Sequence, residues 1–286
     1  MIAFIQRDLY YQFIQDFESQ HQLNETIYHV SCILWLPRHE FGIVATPRGL
    51  VFGDVVMECE EERYRTCESA VRLLTLNVLK VMKMCLRWDC RFTRQLVTSS
   101  VMNSKFSCSS FGAKAVIVVE KEGIFNRLVE DKFIERFPSV IVTGLGYPPL
   151  YVRVLVHKLE TKLQLPVFGL FDHGPHGMAI HLTYKAGSRR YGDLYAIKKM
   201  KLVGLLRKDV SELKLSTHPL TKRDLQLAKS LLAEHPLVHE IDNYSSELRE
   251  MLKSGRKAEL QSLYENSCRF LADEFLPSRI LQRRFI

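Results

Sequence analysis

The chain has 286 residues, enough for two domains, and its 47% apolar content is ample for two cores. It holds no run of about 18 apolar residues and no signal-peptide pattern, so it reads as soluble and intracellular with no membrane partner, and its seven cysteines, an odd number without secretory context, read as reduced thiols. The formal charge of +8 and an isoelectric point near 9 favour a polyanionic partner, whether DNA, RNA or an acidic protein.

Near the start, Arg7-Asp8-Leu9-Tyr10-Tyr11 places two aromatics beside an apolar run, and taken alone such a pair belongs in a core. Asn24 is expected to cap a helix with Ile27, Val30, Ile33 and Leu34 on one face, ending before Pro37. Residues 42–45 and 50–52, joined through Pro47-Arg48-Gly49, read as a β-hairpin. Arg38 and Arg48 flank it, as phosphate contacts or as solvated charges.

Glu60, Glu61 and Glu62 suggest an acidic linker. Lys80, Lys83, Arg87, Arg91 and Arg94 recur at intervals of 3 and 4, which would line one stripe of a helix carrying Leu74, Val78, Val81 and Met82 elsewhere. That segment is a DNA-facing helix, a solvated face or a stretch translated from an intron. Residues 99–110 read as a loop. Cys59, Cys67, Cys85 and Cys90 have spacings that fit no common structural zinc site.

Three strand-helix units follow. Residues 115–119 form an apolar β-branched run ending at Glu120-Lys121-Glu122, with Ile124, Leu128, Val129 and Phe133 marking a helix face. Residues 139–143 form a second run, ending at Gly144-Leu145-Gly146-Tyr147-Pro148-Pro149. The helix after it has Leu150, Val154, Leu155, Leu159 and Leu163 on one face and Arg153, His157, Lys158 and Lys162 on the other. A third run begins at Val167 and stops at Asp172, where two glycines and a proline bracket a turn into another helix. Such units argue for a parallel sheet with right-handed crossovers, with Glu120 and Asp172 meeting at the carboxyl rim where ligands gather. Two carboxylates there suit Mg²⁺; the alternative is that Asp172 caps the next helix and Glu120 is solvated.

Beyond Ser188, Arg189, Arg190, Lys198, Lys199, Lys201, Arg207 and Lys208 crowd together with only Asp193 and Asp209 opposing them nearby, as a phosphate-tracking surface or a solvated one. The rest reads as helices: one capped by Thr221 with Leu225, Ala228, Leu231 and Leu232 inward, one capped by Ser245 or Ser246, and a last one from Arg256 ending at Pro277.

Val-Glu-Lys-Glu at 119–122, Thr-Gly-x-Gly-Tyr-Pro at 143–148, and Asp172-x-x-Pro-His-Gly running into Tyr184-Lys185-x-Gly-Ser188 resemble, in order and spacing, the Toprim domain of the topoisomerase VI A family, which includes the eukaryotic meiotic double-strand-break transesterase. The likeness covers residues 5–53 and 113–188 well, and 200–286, with Leu220-Thr221-Lys222 and Lys257-Ala258-Glu259-Leu260, more loosely. It implies an α/β chain, α+β overall. A partial winged-helix domain (1–53) would carry the tyrosine motif, an atypical linker (54–112) would follow, and a Toprim domain (113–286) would have a parallel sheet and C-terminal helices.

Arg7 to Tyr11 matches the family's active-site signature, whose second aromatic is the nucleophile, so the resemblance assigns attack on the phosphodiester to Tyr11. A phenol of reference pKa about 10 needs nearby cations or a base, a task that Arg7 could serve. The resemblance further assigns Mg²⁺ to Glu120 and Asp172 and proton transfer to Glu120; the candidate DNA contacts are Arg38, Arg48, Tyr147, Lys185, Arg189 and Arg190, the last two on the basic run, where the family's connection is longer and less basic. It implies double-stranded DNA as substrate and a homodimer in which the tyrosine of one protomer works with the metal site of the other. An ATP-binding topoisomerase VI B-like partner and a nuclear location are implied too. Two departures stand out. Gly174 replaces the second aspartate of the family's metal loop, which leaves open a DNA-binding member with weakened or lost catalysis, or a Toprim-type nuclease. Tyr11 also nearly begins the chain, which reads as a truncated form or an incomplete gene model.

Overall fold

Among the described residues, the main sheet comprises strands β1 (Leu50–Gly53), β2 (Gln95–Leu96), β3 (Val116–Val119), β4 (Val140–Thr143), β5 (Val167–Leu170) and β6 (Lys201–Leu202), in spatial order β6-β5-β3-β4-β1-β2. The computed structural model describes residues 4–36, 43–44, 48–64, 81–91, 94–102, 107–188 and 192–286. They cluster into two units, one drawn from 1–47, 58–87 and 98–106, the other from 48–57, 88–97 and 107–286.

In the second unit β3, β4, β5 and β6 run parallel, and every residue of β3, β4 and β5 is buried. An apolar run without polar alternation is what a strand covered on both faces requires. The cover comes from helices Glu122–Glu130, Leu150–Leu163 and Pro175–Ala186, one after each of these strands as the periodicity predicts. Ile117, Val119, Ile124, Phe125, Leu128, Ile141 and Phe168 fill one core with Leu260, Leu263, Leu271 and Phe275 from the C-terminal part. This is the expected α/β architecture with a parallel-rich sheet and C-terminal helices. Arg153 departs from its expected polar face: it is 3% exposed, and its Nη2 donates to Ser188 Oγ at 3.2 Å.

The expected hairpin is not formed. Ile43 and Val44 pair in parallel with Phe4 and Ile5, whereas β1 pairs antiparallel with β4, Leu50 opposite Thr143 and Gly53 opposite Val140. The all-buried β4 would otherwise present an unpaired apolar edge. Gly53 makes the approach possible: its φ is +123°, and a Cβ there would lie 2.2 Å from the Ser139 carbonyl oxygen.

The first unit holds helices Gln6–Gln12 and Gln20–Leu34. The second begins earlier than expected, capped by Ser19, whose Oγ accepts from the Gln22 amide at 3.2 Å; Asn24 lies inside it. Leu23 and Ile27 are buried, while Val30, Ile33 and Leu34 are exposed. The expected basic helix is also overturned: residues 81–89 form a strand, and Glu60 to Glu62 lie in another, Val56–Tyr64, rather than in a linker. Lys80 lies outside the described residues. Met82, Met84, Leu86 and Trp88 alternate with Lys83, Cys85, Arg87 and Asp89, a period of two that prevails over the spacing of the basic residues.

At the C-terminus Thr221 caps Lys222–Glu234 as expected, with Asp224 completing a capping box. After a short helix, Pro236–Glu240, the next expected one, Asp242–Ser254, starts before Ser245, whose Oγ instead donates to the Asp242 carbonyl at 3.0 Å. The last expected helix is broken into a 3₁₀ segment (Leu260–Glu265), a π turn (Leu271–Phe275) and a helix, Leu276–Leu281, that Pro277 opens rather than ends. No helix among the described residues is long and apolar enough to cross a membrane.

Candidate active site

Adjacent parallel strands in register deliver their next residues to one rim. Val119 faces Leu170, so the residues that follow β3 and β5 emerge side by side. The Asp172 amide donates to Glu120 Oε2 at 3.0 Å, and the Glu120 amide donates to the Leu170 carbonyl at 3.2 Å. The loop after β4 closes on the same place: the Gly146 amide donates to the Glu120 carbonyl at 2.8 Å, and Thr143 Oγ1 takes the Leu145 amide at 3.1 Å. Three segments separated in sequence therefore meet at Glu120.

Asp172 does not cap the following helix, whose N-cap is Gly174, and Glu120 is 8% exposed rather than solvated. Asp172 Oδ1 accepts from the Leu260 amide at 2.8 Å, and Oδ2 pairs with Lys121 Nζ at 2.7 Å; Lys121 also reaches Glu259 Oε2 at 2.9 Å. Burial first, then repulsion from Asp172, pushes the Glu120 carboxyl up to about 7, and burial raises that of Asp172 as well. Lys121 holds Glu259 below the usual carboxylate range.

Oxygen ligands from two carboxylates are the donor set of a hard divalent cation that keeps several waters for substrate phosphate. The desolvated Glu120–Asp172 pair, with the single ammonium of Lys121 shared between Asp172 and Glu259, fits one Mg²⁺ bound in that way. Among the described residues no group of three or more His, Cys, Asp or Glu is placed to hold a metal, so an all-protein cage is not what this rim provides. At Gly174 the backbone is extended, φ −176°, and a Cβ would rest at ordinary contact, 3.5 Å from Lys257 Cβ. Lys257 Nζ pairs with Asp224 at 2.8 Å, Asp224 lies 3.7 Å from His176 Nε2, and His176 Nδ1 is hydrogen-bonded to Tyr147 Oη at 3.1 Å. A polar chain from Tyr147 to Lys257 thus runs past the glycine.

The other expected site residues are placed as follows. Tyr11 lies on the Gln6–Gln12 helix and is 56% exposed, not sealed in a core; its ring is 5.8 Å from that of Tyr10. Arg7 is on the same helix. Arg48 is exposed and donates to the Leu145 carbonyl, and Tyr147 is 45% exposed beside it on that loop. Lys185 is turned inward, donating to the Met200 carbonyl at 2.7 Å. Arg38, Arg189 and Arg190 lie outside the described residues. Part of the basic run is answered within the chain: Lys198 pairs with Asp193, Arg207 with Glu250 and Lys208 with Glu212. Sequence reasoning gave no role to Lys121 or Glu259, although both lie in the motifs that carry the resemblance.

The chain matches the family model for the Toprim domain of the topoisomerase 6 A chain and Spo11 over residues 115–280, and the model "Type IIB DNA topoisomerase" over 4–43. It is 32% identical over 288 residues to "Meiotic recombination protein SPO11-2" of Oryza sativa subsp. indica, an alignment covering 98% of this chain and 69% of that protein. It is 31% identical over 283 residues to "Meiotic recombination protein SPO11" of Mus musculus, covering 96% and 65%. It is also 31% identical over 284 residues to "Meiotic recombination protein SPO11" of Homo sapiens, covering 96% and 65%.

Proposed function

Because the chain belongs to the topoisomerase 6 A/Spo11 family, we propose that it is a DNA-cleaving transesterase that makes double-strand breaks to initiate meiotic recombination. The observation that carries this reading is the convergence of Glu120, the loop after β4 and Asp172 on one rim, with Lys121 bound to it.

In the proposed reaction Tyr11 Oη attacks a backbone phosphorus in line. The Tyr–O–P bond forms as the P–O3′ bond breaks, leaving the chain joined to the 5′ phosphate, and the proton lost by the phenol is balanced by one gained at the 3′ oxygen. Arg7, close to Tyr11 on one short helix, favours the phenolate. Glu120 and Asp172 would hold Mg²⁺, which supplies positive charge against the phosphate and the leaving oxygen. Glu120, with its raised pKa, is suited to passing a proton at its own carboxylate. Arg48, bonded to the rim loop through the Leu145 carbonyl, and Tyr147 on that loop would meet the DNA backbone, with Arg38, Arg189 and Arg190 as the remaining contacts; Lys185, turned inward, is not among them. One tyrosine cuts one strand, so a double-strand break needs a homodimer in which each Tyr11 serves the partner's rim. A nuclear location and an ATP-binding partner of the topoisomerase VI B-like kind complete the reading.

The test is a covalent adduct. The protein, its B-type partner, ATP, Mg²⁺ and supercoiled DNA should yield 5′-phosphotyrosyl DNA, and Tyr11→Phe should abolish it. Hydrolysis that survives Tyr11→Phe would identify a Toprim nuclease instead. Salt-sensitive DNA binding with no adduct from the native protein would reduce it to a binding member of the family.

A further inference from the structure

Lys121 Nζ lies 2.7 Å from Asp172 Oδ2, 2.9 Å from Glu259 Oε2 and 3.5 Å from Gln261 Oε1. The other Asp172 oxygen is already committed to the Leu260 amide. The Asp172 oxygen free of backbone donors is therefore the one on which this ammonium sits. Asp172 is 13% exposed and Glu120 8%, and gathering carboxylates with so little water is unfavourable without a counter-charge. Glu259 is different: its side chain is 44% exposed, so it anchors the ammonium from the solvent side.

Resting on the reading that Glu120 and Asp172 hold the divalent cation, we propose that Lys121 is a tethered counter-ion of the rim and that the divalent cation binds by displacing it from Asp172 towards Glu259. Two cations on one carboxylate oxygen repel each other, so the lysine and the metal compete. The second anchor makes the displacement a sideways transfer: the ammonium leaves Asp172 but keeps Glu259 and does not pass through an unpaired state. Lys121 thus sets the affinity of the site from within. It is a positioning residue, since it acts through Asp172 rather than on the substrate.

Isothermal titration with Mg²⁺ and Mn²⁺ compares the native chain with Lys121→Met, which keeps the stem length and removes the charge. The substitution should tighten divalent binding by about tenfold or more. In chelator it should also lower Tm, because the carboxylates lose their counter-charge, and saturating Mg²⁺ should restore Tm. A second measurement needs no variant: acylation of Lys121 by acetic anhydride, followed by mass spectrometry, should rise as Mg²⁺ saturates the native protein. Equal or weaker divalent binding by a folded Lys121→Met protein overturns the inference, as does Lys121 reactivity that stays constant or falls with Mg²⁺. Binding by neither protein overturns the metal assignment to Glu120 and Asp172, and this inference with it, while leaving the Tyr11 adduct test standing.

Discussion

The backbone amide of Asp172 donates to the side chain of Glu120 at 3.0 Å, so the carboxylate after β3 is oriented by the residue that carries the carboxylate after β5. The two acids form one unit, and a change at either is felt at the other.

The pH dependence of stability follows from Glu120. Its carboxyl is raised from 4.5 to about 7 by burial and then by Asp172. A folded-state pKa above the unfolded one means that the folded form holds the extra proton, so this contribution is full below about pH 4.5 and is lost as pH rises through about 7. In chelator, the native protein should lose stability relative to Glu120→Gln between about pH 5 and 8, by on the order of a few kcal/mol at most. Thermal melts of both proteins across that window check it, and parallel curves would remove Glu120 from the account.

Gly174→Asp should fold normally, because the backbone is extended and the nearest atom to a new Cβ is 3.5 Å away. It adds a second carboxylate to the metal loop, and a third to the site with Glu120, so divalent affinity and DNA cleavage should each rise by roughly an order of magnitude. A glycine form that already cleaves supercoiled DNA as well as the aspartate form would show that two acids suffice.

Gly177→Ala should act in the opposite direction. A Cβ there would stand 2.3 Å from the Asp172 carbonyl oxygen, so the rim backbone must shift. Overpacking of this kind costs about 1–3 kcal/mol, and because Asp172 bears the shift, divalent binding should weaken too. Calorimetry paired with titration reads both effects, and a lower Tm with unchanged metal affinity would separate fold from site.

Thr221→Ala removes the cap of the Lys222–Glu234 helix and one donor to Asp224, Oγ1 at 2.7 Å. The expected loss is about 1 kcal/mol, read from denaturant unfolding. The Lys257 and backbone bonds to Asp224 persist, so divalent affinity should be unaffected.

The acidic pair was legible because each acid ends a short apolar run, and strand ends in a parallel sheet share a rim. Thr221 was legible because a cap is local chemistry. Ser245, Asn24 and Pro277 misled because each can cap or end a helix, and neighbouring turns decided otherwise. For 81–89, basic residues spaced by 3 and 4 masked the alternation of Met82, Met84, Leu86 and Trp88. Two distant pairings were not legible: β1 joins β4 across nearly ninety intervening residues, and Glu259 reaches Lys121 from the far end of the chain.

That long-range pairing bears on how the molecule can be divided. A recombinant fragment starting at residue 113 would lack β1 and leave the amides and carbonyls of Val140–Thr143 bare along a flat apolar margin, a template for association between copies. Starting at Arg48 instead retains the strand that seals that margin.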